Sequence, residues 1–132
     1  MNIRPSEPSL VVHFSGAEVD HVDEVEAGIL VAYDADRKIV DMAVRGRSNS
    51  TRLNLVEWSG AAGNARVTYD AEIDALAIDA GSSVYLDSEE ILPGFMVDYD
   101  TEGFVRGFEF LDASRFFSDQ TMADIRRCAT AL

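Results

Sequence analysis

Carboxylates dominate the residues of this chain that could do chemistry, and they fall into three groups along the sequence. Asp98, Asp100 and Glu102, followed by Gly103 and then Glu109, put acids at the first, third, fifth and twelfth positions of a twelve-residue window. That spacing is close to the loop with which helix–loop–helix proteins wrap calcium, a hard cation that takes many oxygen ligands. Val105 fills the eighth position, which is apolar in such loops. The flanks point elsewhere, because both sides alternate with a period of two, and a strand pair would aim Asp98 and Glu109 along a sheet. Metal ligation by Asp98, Asp100, Glu102 and Glu109 is therefore the minor reading, and no cofactor is expected.

Asp70, Glu72, Asp74 and Asp79 form the second group, and Asp87, Glu89 and Glu90 the third. Paired carboxylates can do general acid–base work or hold magnesium. No His, Lys or Arg stands among these, so a solvated face is the simpler account. His13 lies in an apolar run and reads as a core or edge histidine, whereas His21, among Asp20, Asp23 and Glu24, reads as surface. Two histidines without a third ligand make a poor metal site. Cys128 sits beside Arg127, which could lower its pKa, but a small buried core residue is the commoner role. Nucleophile elbow, phosphate-binding glycine loop and dinucleotide fingerprint are all missing, and no catalytic residue is nominated.

The charge balance narrows the partners. The 132 residues carry 24 acidic and 11 basic side chains, a net charge of −13. Such a field repels nucleic-acid backbones and anionic membranes and draws basic proteins inward. No run approaches the ~18 to 20 apolar residues of a membrane span, and the opening stretch lacks the apolar core of a secretory signal. A lone cysteine excludes an internal disulfide and fits a reducing compartment, so the expected location is cytoplasmic. A homo-oligomer is compatible with all of this.

The elements that must position these residues are short strands. Residues 93–110 read as two strands joined by a tight acidic turn. Phe95 and Val97 take one face and Met96 and Asp98 the other; beyond the turn, Phe104, Arg106 and Phe108 oppose Val105, Gly107 and Glu109. Asp100 can bond its own backbone at the start of the turn, and Gly103 can take a positive φ at its end. Sliding the sequence on itself by 66 positions lays Gly28 on Gly94, Tyr33-Asp34 on Tyr99-Asp100 and Asp36 on Glu102. Ile39 then falls on Val105, and Leu10-Val11-Val12 on Leu76-Ala77-Ile78. This is the signature of a divergent tandem duplication, with repeats at about 9–44 and 66–115. In the first copy Ala32 and Ala43 stand where the second has Asp98 and Glu109.

Each copy supplies a meander: strands near 10–14, 28–33 and 38–44 in the first, and near 66–69, 75–79, 95–99 and 104–111 in the second. Residues 84–92 add extended, carboxylate-rich chain. Residues 46–50 read as a loop and 59–64 as a linker, while 52–58 fits a strand by alternation or, by analogy with the second copy, a helix. Ser118 is the expected N-cap of a C-terminal helix at about 119–131, with Asp119 in its first turn and Arg126 and Arg127 late. Met122, Ile125, Ala129 and Leu132 give it one apolar stripe to lay on a sheet. The expected fold is α+β and mostly β: two tandem related antiparallel β-meanders with a C-terminal helix, forming a single compact domain over 1–132, a length that needs no disulfide or metal to fold.

The second copy carries several ordered elements: Tyr69-Asp70, Ser88-Glu89-Glu90, Pro93-Gly94, Asp98-Tyr99-Asp100 and Leu111-Asp112-Ala113-Ser114. Through them residues 66–115 resemble a family of short bacterial proteins catalogued as domain of unknown function 2283. The resemblance fades in the first copy. It implies no catalytic residues, and it implies an antitoxin-like role, because members of that family are suspected to pair with small basic ribonuclease-like toxins. The function expected is thus an acidic, non-catalytic protein-binding module docking a basic protein. The alternatives are a small carboxylate- or metal-dependent hydrolase, using Asp98, Asp100 and Glu109 or the group around Asp70 to Asp74, and a structural or oligomerising domain.

Overall fold

Period-two patterning does place the strands. The computed structural model describes residues 9–45, 51–57, 65–81 and 84–131. The first half contains β1 (Ser9–His13), β2 (His21–Glu26), β3 (Ile29–Tyr33), β4 (Ile39–Arg45) and β5 (Thr51–Asn54), in the sheet order β2-β3-β4-β1-β5. The second half contains β6 (Arg66–Asp70), β7 (Ala75–Asp79), β8 (Tyr85–Leu92), β9 (Phe95–Asp100), β10 (Val105–Phe110), a helix α1 (Asp119–Cys128) and a short β11 (Thr130–Ala131). Its six strands run β11-β6-β7-β10-β9-β8.

The same 66-residue shift that aligns the sequences converts β2-β3-β4-β1 into β8-β9-β10-β7. Registers coincide as well as order. Leu10 opposite Val44 becomes Leu76 opposite Phe110, Val31 opposite Met42 becomes Val97 opposite Phe108, and Glu24 opposite Leu30 becomes Glu90 opposite Met96. The β2–β3 irregularity between Glu24 and Glu26 recurs between Glu90 and Leu92. Turn chemistry repeats too. Asp34 Oδ1 accepts from the amides of Asp36 (2.8 Å) and Lys38 (3.0 Å), and Asp100 Oδ1 from those of Glu102 (2.9 Å) and Phe104 (3.0 Å). The two halves are related meanders, mostly antiparallel.

Two expectations need correction and one open reading is settled. Strict alternation along β10 fails, because a bulge between Val105 and Gly107 resets the phase. Val105, Phe108 and Phe110 are buried while Arg106 and Glu109 are half-buried between them. The first sheet carries the same irregularity, with Ala32 opposite Asp41 and Tyr33 opposite Ile39, so the bulge belongs to the shared plan. Separately, a Cβ at Gly107 would sit 2.1 Å from the Ile78 carbonyl oxygen, so β10 approaches β7 more closely than a side chain permits. The helix stops at Cys128, short of 131, because Ala129 is extended (ψ 150°) and Thr130-Ala131 then pairs with Thr68 and Tyr69. Both meanders are antiparallel as expected, and outside them β5 runs parallel to β1 and β11 parallel to β6. Of the two readings of 52–58 the strand holds over Thr51–Asn54, where the free side of β1 accepts it and Leu53 and Leu55 enter the core. The loop expected at 46–50, the linker at 59–64, Trp58 and Leu132 lie outside the described residues.

The buried side chains of both sheets form one contiguous apolar cluster, Leu10, Val12 and Met42 from one and Leu76, Ile78 and Val97 from the other among them. Phe14 meets Phe110 edge-on at 6.4 Å and Phe117 at 4.6 Å, and Phe110 meets Phe117 at 4.9 Å, so the aromatic rings bridge the halves. Ser118 caps α1, its Oγ accepting from the Thr121 amide at 3.1 Å. Met122 and Ile125 are buried, and Thr121 donates its hydroxyl to the Phe14 carbonyl at 3.2 Å, tying the helix to the first half.

Candidate functional site

The strand β8 ends the second sheet. Among the described residues it pairs with β9 alone, and every residue of its eight but Ile91 is exposed. Asp87, Ser88, Glu89 and Glu90 form a polar run there, preceded by apolar side chains left in water: Tyr85 is 49% exposed and Leu86 57%. Irregularities between Tyr85 and Asp87 and between Glu90 and Leu92 bend it at both ends. The third acidic group of the sequence is therefore a sheet edge.

Behind it, on the outer face of the same sheet, lies the pair made by Asp98 and Glu109. Asp98 opposes Gly107 in register and Glu109 opposes Met96, which makes the two carboxylates diagonal neighbours on adjacent strands. Ser88 Oγ donates to Asp98 Oδ1 at 2.5 Å, and the Tyr85 phenol lies 2.8 Å from that Oγ, so a polar chain runs inward from the edge. A hydrogen bond to Asp98, then burial, then the like charge push Glu109 up to about 7. Two carboxyl groups this close do not both ionise readily, so the pair holds a proton near neutral pH. In the first sheet the matching positions are Val22, Ala32 and Ala43, which are apolar.

The rest of the calcium-like window disperses over a strand, a turn and a strand. Asp100 is buried and spends Oδ1 on two turn amides, while Glu102 is exposed at the tip. Among the described residues no group of three or more His, Cys, Asp or Glu side chains converges as a cation would require.

The second acidic group separates into structural roles. Asp74, in a left-handed conformation (φ 53°), accepts from the Tyr69 hydroxyl (2.5 Å), the Ser114 amide (3.0 Å) and the Ser114 hydroxyl (2.5 Å). Burial works to raise its carboxyl, but the hydrogen bonds from Ser114 and Tyr69 outweigh it and hold the group below the usual carboxylate range. Asp70 Oδ1 accepts from the Glu72 amide at 3.0 Å within the β6–β7 turn, and Asp79 pairs with Arg106 at 3.2 Å. Nothing in the sequence of the acidic run distinguishes Asp74 from its neighbours. The signal for it lies in Tyr69 and Ser114, which belong to the ordered elements of the second copy.

His13 closes the outer end of β1 on Asp41, with Nδ1 2.6 Å from Oδ1. His21 is more than a surface residue: its ring stacks on Tyr33 at 5.0 Å and 18°, with Nδ1 3.1 Å from Asp20 Oδ2. These three residues, with Asp23, Ala35 and Arg37, line a polar surface cleft of about 720 Å³. Burial and then the Asp23 charge push the Tyr33 phenol up. Burial likewise raises the Cys128 thiol, outweighing the opposing pull of Arg127, so this cysteine is not an activated nucleophile.

Residues 66–114 match the family described as "Protein of unknown function (DUF2283)". The match runs from β6 to the segment just past β10 and so covers the second sheet, including the Tyr69–Asp74–Ser114 clamp, β8 and the Asp98–Glu109 pair. Comparison with curated proteins and with solved structures finds no match. No helix among the described residues is long and apolar enough to cross a membrane.

Proposed function

We propose that this chain is an acidic, non-catalytic protein-binding module that docks a basic protein partner in an antitoxin-like role. The observation that carries the reading is β8, a sheet edge that exposes the carboxylates Asp87, Glu89 and Glu90 next to the apolar side chains of Tyr85 and Leu86. An exposed edge bearing apolar groups is a liability unless charge protects it or a partner covers it, and these charges select the partner's sign. The net charge of −13 adds long-range attraction for a basic protein. The remaining carboxylates do not favour hydrolysis, because Asp74, Asp79 and Asp100 are occupied by fold-holding bonds.

Affinity purification from the native host tests this. A basic protein should co-purify at low salt and be released near 1 M salt, where the Debye length falls to ~3 Å. The variant with Asp87→Lys, Glu89→Lys and Glu90→Lys should fail to retain it. Recovery of no basic protein, or equal retention by the charge-reversed variant, counts against the reading.

A second reading has one observation behind it. The proton held by Asp98 and Glu109 near neutral pH is what a general acid needs, and Ser88 stands beside Asp98. Hydrolysis of a generic ester that disappears in Glu109→Gln would favour it.

A further inference from the structure

We propose that the partner is held by strand addition: an extended segment with Lys or Arg at alternate positions pairs with the free edge of β8 and continues the sheet. The proposal rests on the reading of the chain as a module for a basic protein and adds the geometry of docking.

Three features of the edge lead to it. First, the sheet order ends at β8 among the described residues, and a strand of eight residues offers an edge about 27 Å long at ~3.4 Å per residue. Among the described residues the main-chain groups on the side away from β9 meet no strand, and an added strand would satisfy them. Secondly, period two puts Asp87 and Glu89 on one face and Ser88 and Glu90 on the other. Side chains directly opposite on an added strand stand roughly 4.5 to 5.5 Å away, so cations at every second residue would meet carboxylates in register. Tyr85 and Leu86, at the start of the strand, remain for apolar residues at one end of the segment.

Thirdly, the same charges exclude the most obvious competitor, a second copy of this chain. Pairing β8 with itself would bring Asp87, Glu89 and Glu90 against their own copies, and like charges opposite one another destabilise a sheet. A basic segment gains where a second copy loses. The matching edge of the first sheet is the weaker candidate. The strand β2 has six residues against eight, and its His21 is already engaged with Tyr33 and Asp20.

The test uses the whole chain and the acetylated, amidated heptapeptide Lys-Val-Lys-Val-Lys-Val-Lys as probe, followed by amide hydrogen exchange and amide chemical shifts at low salt. The outward amides of 85–92 should exchange at least ~10-fold more slowly with peptide bound, with the largest shift changes in β8. The same peptide with every backbone amide N-methylated keeps its charge but has no edge that can pair, and it should lose this protection. On the variant carrying Asp87→Lys, Glu89→Lys and Glu90→Lys, a Glu-Val peptide of the same length should take over. Binding that leaves exchange in 85–92 unchanged, or equal protection by the N-methylated peptide, overturns strand addition while leaving the acidic-module reading intact. No binding at millimolar peptide overturns strand addition as well. The broader reading falls separately, if the host purification also yields no basic protein.

Discussion

The two halves of this molecule have the same strand order and the same registers, yet their outer faces carry opposite chemistry. On the first sheet the positions of Val22, Ala32 and Ala43 are apolar; on the second the same lattice points hold Ser88, Asp98 and Glu109. Inward, the resemblance is kept: Ile29, Val31, Met42 and Val44 answer Phe95, Val97, Phe108 and Phe110, and all eight are buried. A shared backbone plan therefore keeps the face packed on the common core and lets the opposite face differ, with Ala32 and Ala43 buried in one half and Asp98 and Glu109 half-buried in the other. Function is to be sought in what differs, which is the outer face and edge of the second sheet.

The largest difference in tolerance should appear where β10 crosses β7. Gly107 answers Asp41 of the first sheet, where a full side chain reaches His13 at 2.6 Å. At Gly107 even a methyl group would collide with the Ile78 backbone. Gly107→Ala should cost about 3 kcal/mol, as overpacking against fixed backbone does, and Asp41→Ala about 1 kcal/mol. Urea denaturation of both variants checks this. Equal losses would mean that the close approach of β10 and β7 is not needed.

A smaller effect separates the outer faces by pH. The Glu109 carboxyl lies at about 7 in the folded chain against an ordinary value of 4.5, so it is raised by folding. The folded state then binds more protons than the unfolded one between those values, and this group lowers stability as pH rises from 4.5 to about 7. Glu109→Ala, which installs the first sheet's residue, should remove that slope. It should stabilise the chain at pH 8 by about 1 kcal/mol once solvent screening is allowed for, and far less at pH 5. Unfolding midpoints at the two pH values decide it. An unchanged pH slope would show that Asp98 and Glu109 do not share a proton.

Much of this plan is legible in the residues because β patterning is local and the duplication doubles the signal. The offset that lays Tyr33-Asp34 on Tyr99-Asp100 anticipates the common registers, and Ser118 and Asp119 announce the start of α1. What cannot be read depends on contacts distant in sequence. The need for glycine at 107 comes from the Ile78 backbone, and the parallel seat of β5 from the open side of β1. Asp74 looks like one acid in a solvated run, and only its bonds to Ser114, forty residues on, make it a clamp. The calcium-like spacing of Asp98 and Glu109 is real as a pattern. On strands, however, that spacing yields diagonal neighbours on one face, whereas a cation needs a ring of oxygens.

The finest comparison is at the tip of the first hairpin. Arg37 occupies the place of Gly103, and both adopt positive φ, 63° and 85°. The surrounding bonds match: the Arg37 amide donates to the Asp34 carbonyl at 3.0 Å, and the Gly103 amide to that of Asp100 at 3.0 Å. A left-handed residue with a Cβ costs roughly 1 to 2 kcal/mol, while a glycine costs up to about 1 kcal/mol more in lost chain entropy. Arg37→Gly should therefore stabilise the chain by about 0.5 kcal/mol, and Gly103→Arg should destabilise it by a similar amount. Nothing lies within 4 Å of a Cβ placed at Gly103, so the second change tests backbone conformation without a steric clash. Opposite shifts of similar size in the unfolding midpoint would make the two turns interchangeable backbones. Two shifts of the same sign would show that each turn has adapted to its own residue, and that the equivalence of the halves ends at the hairpin tips.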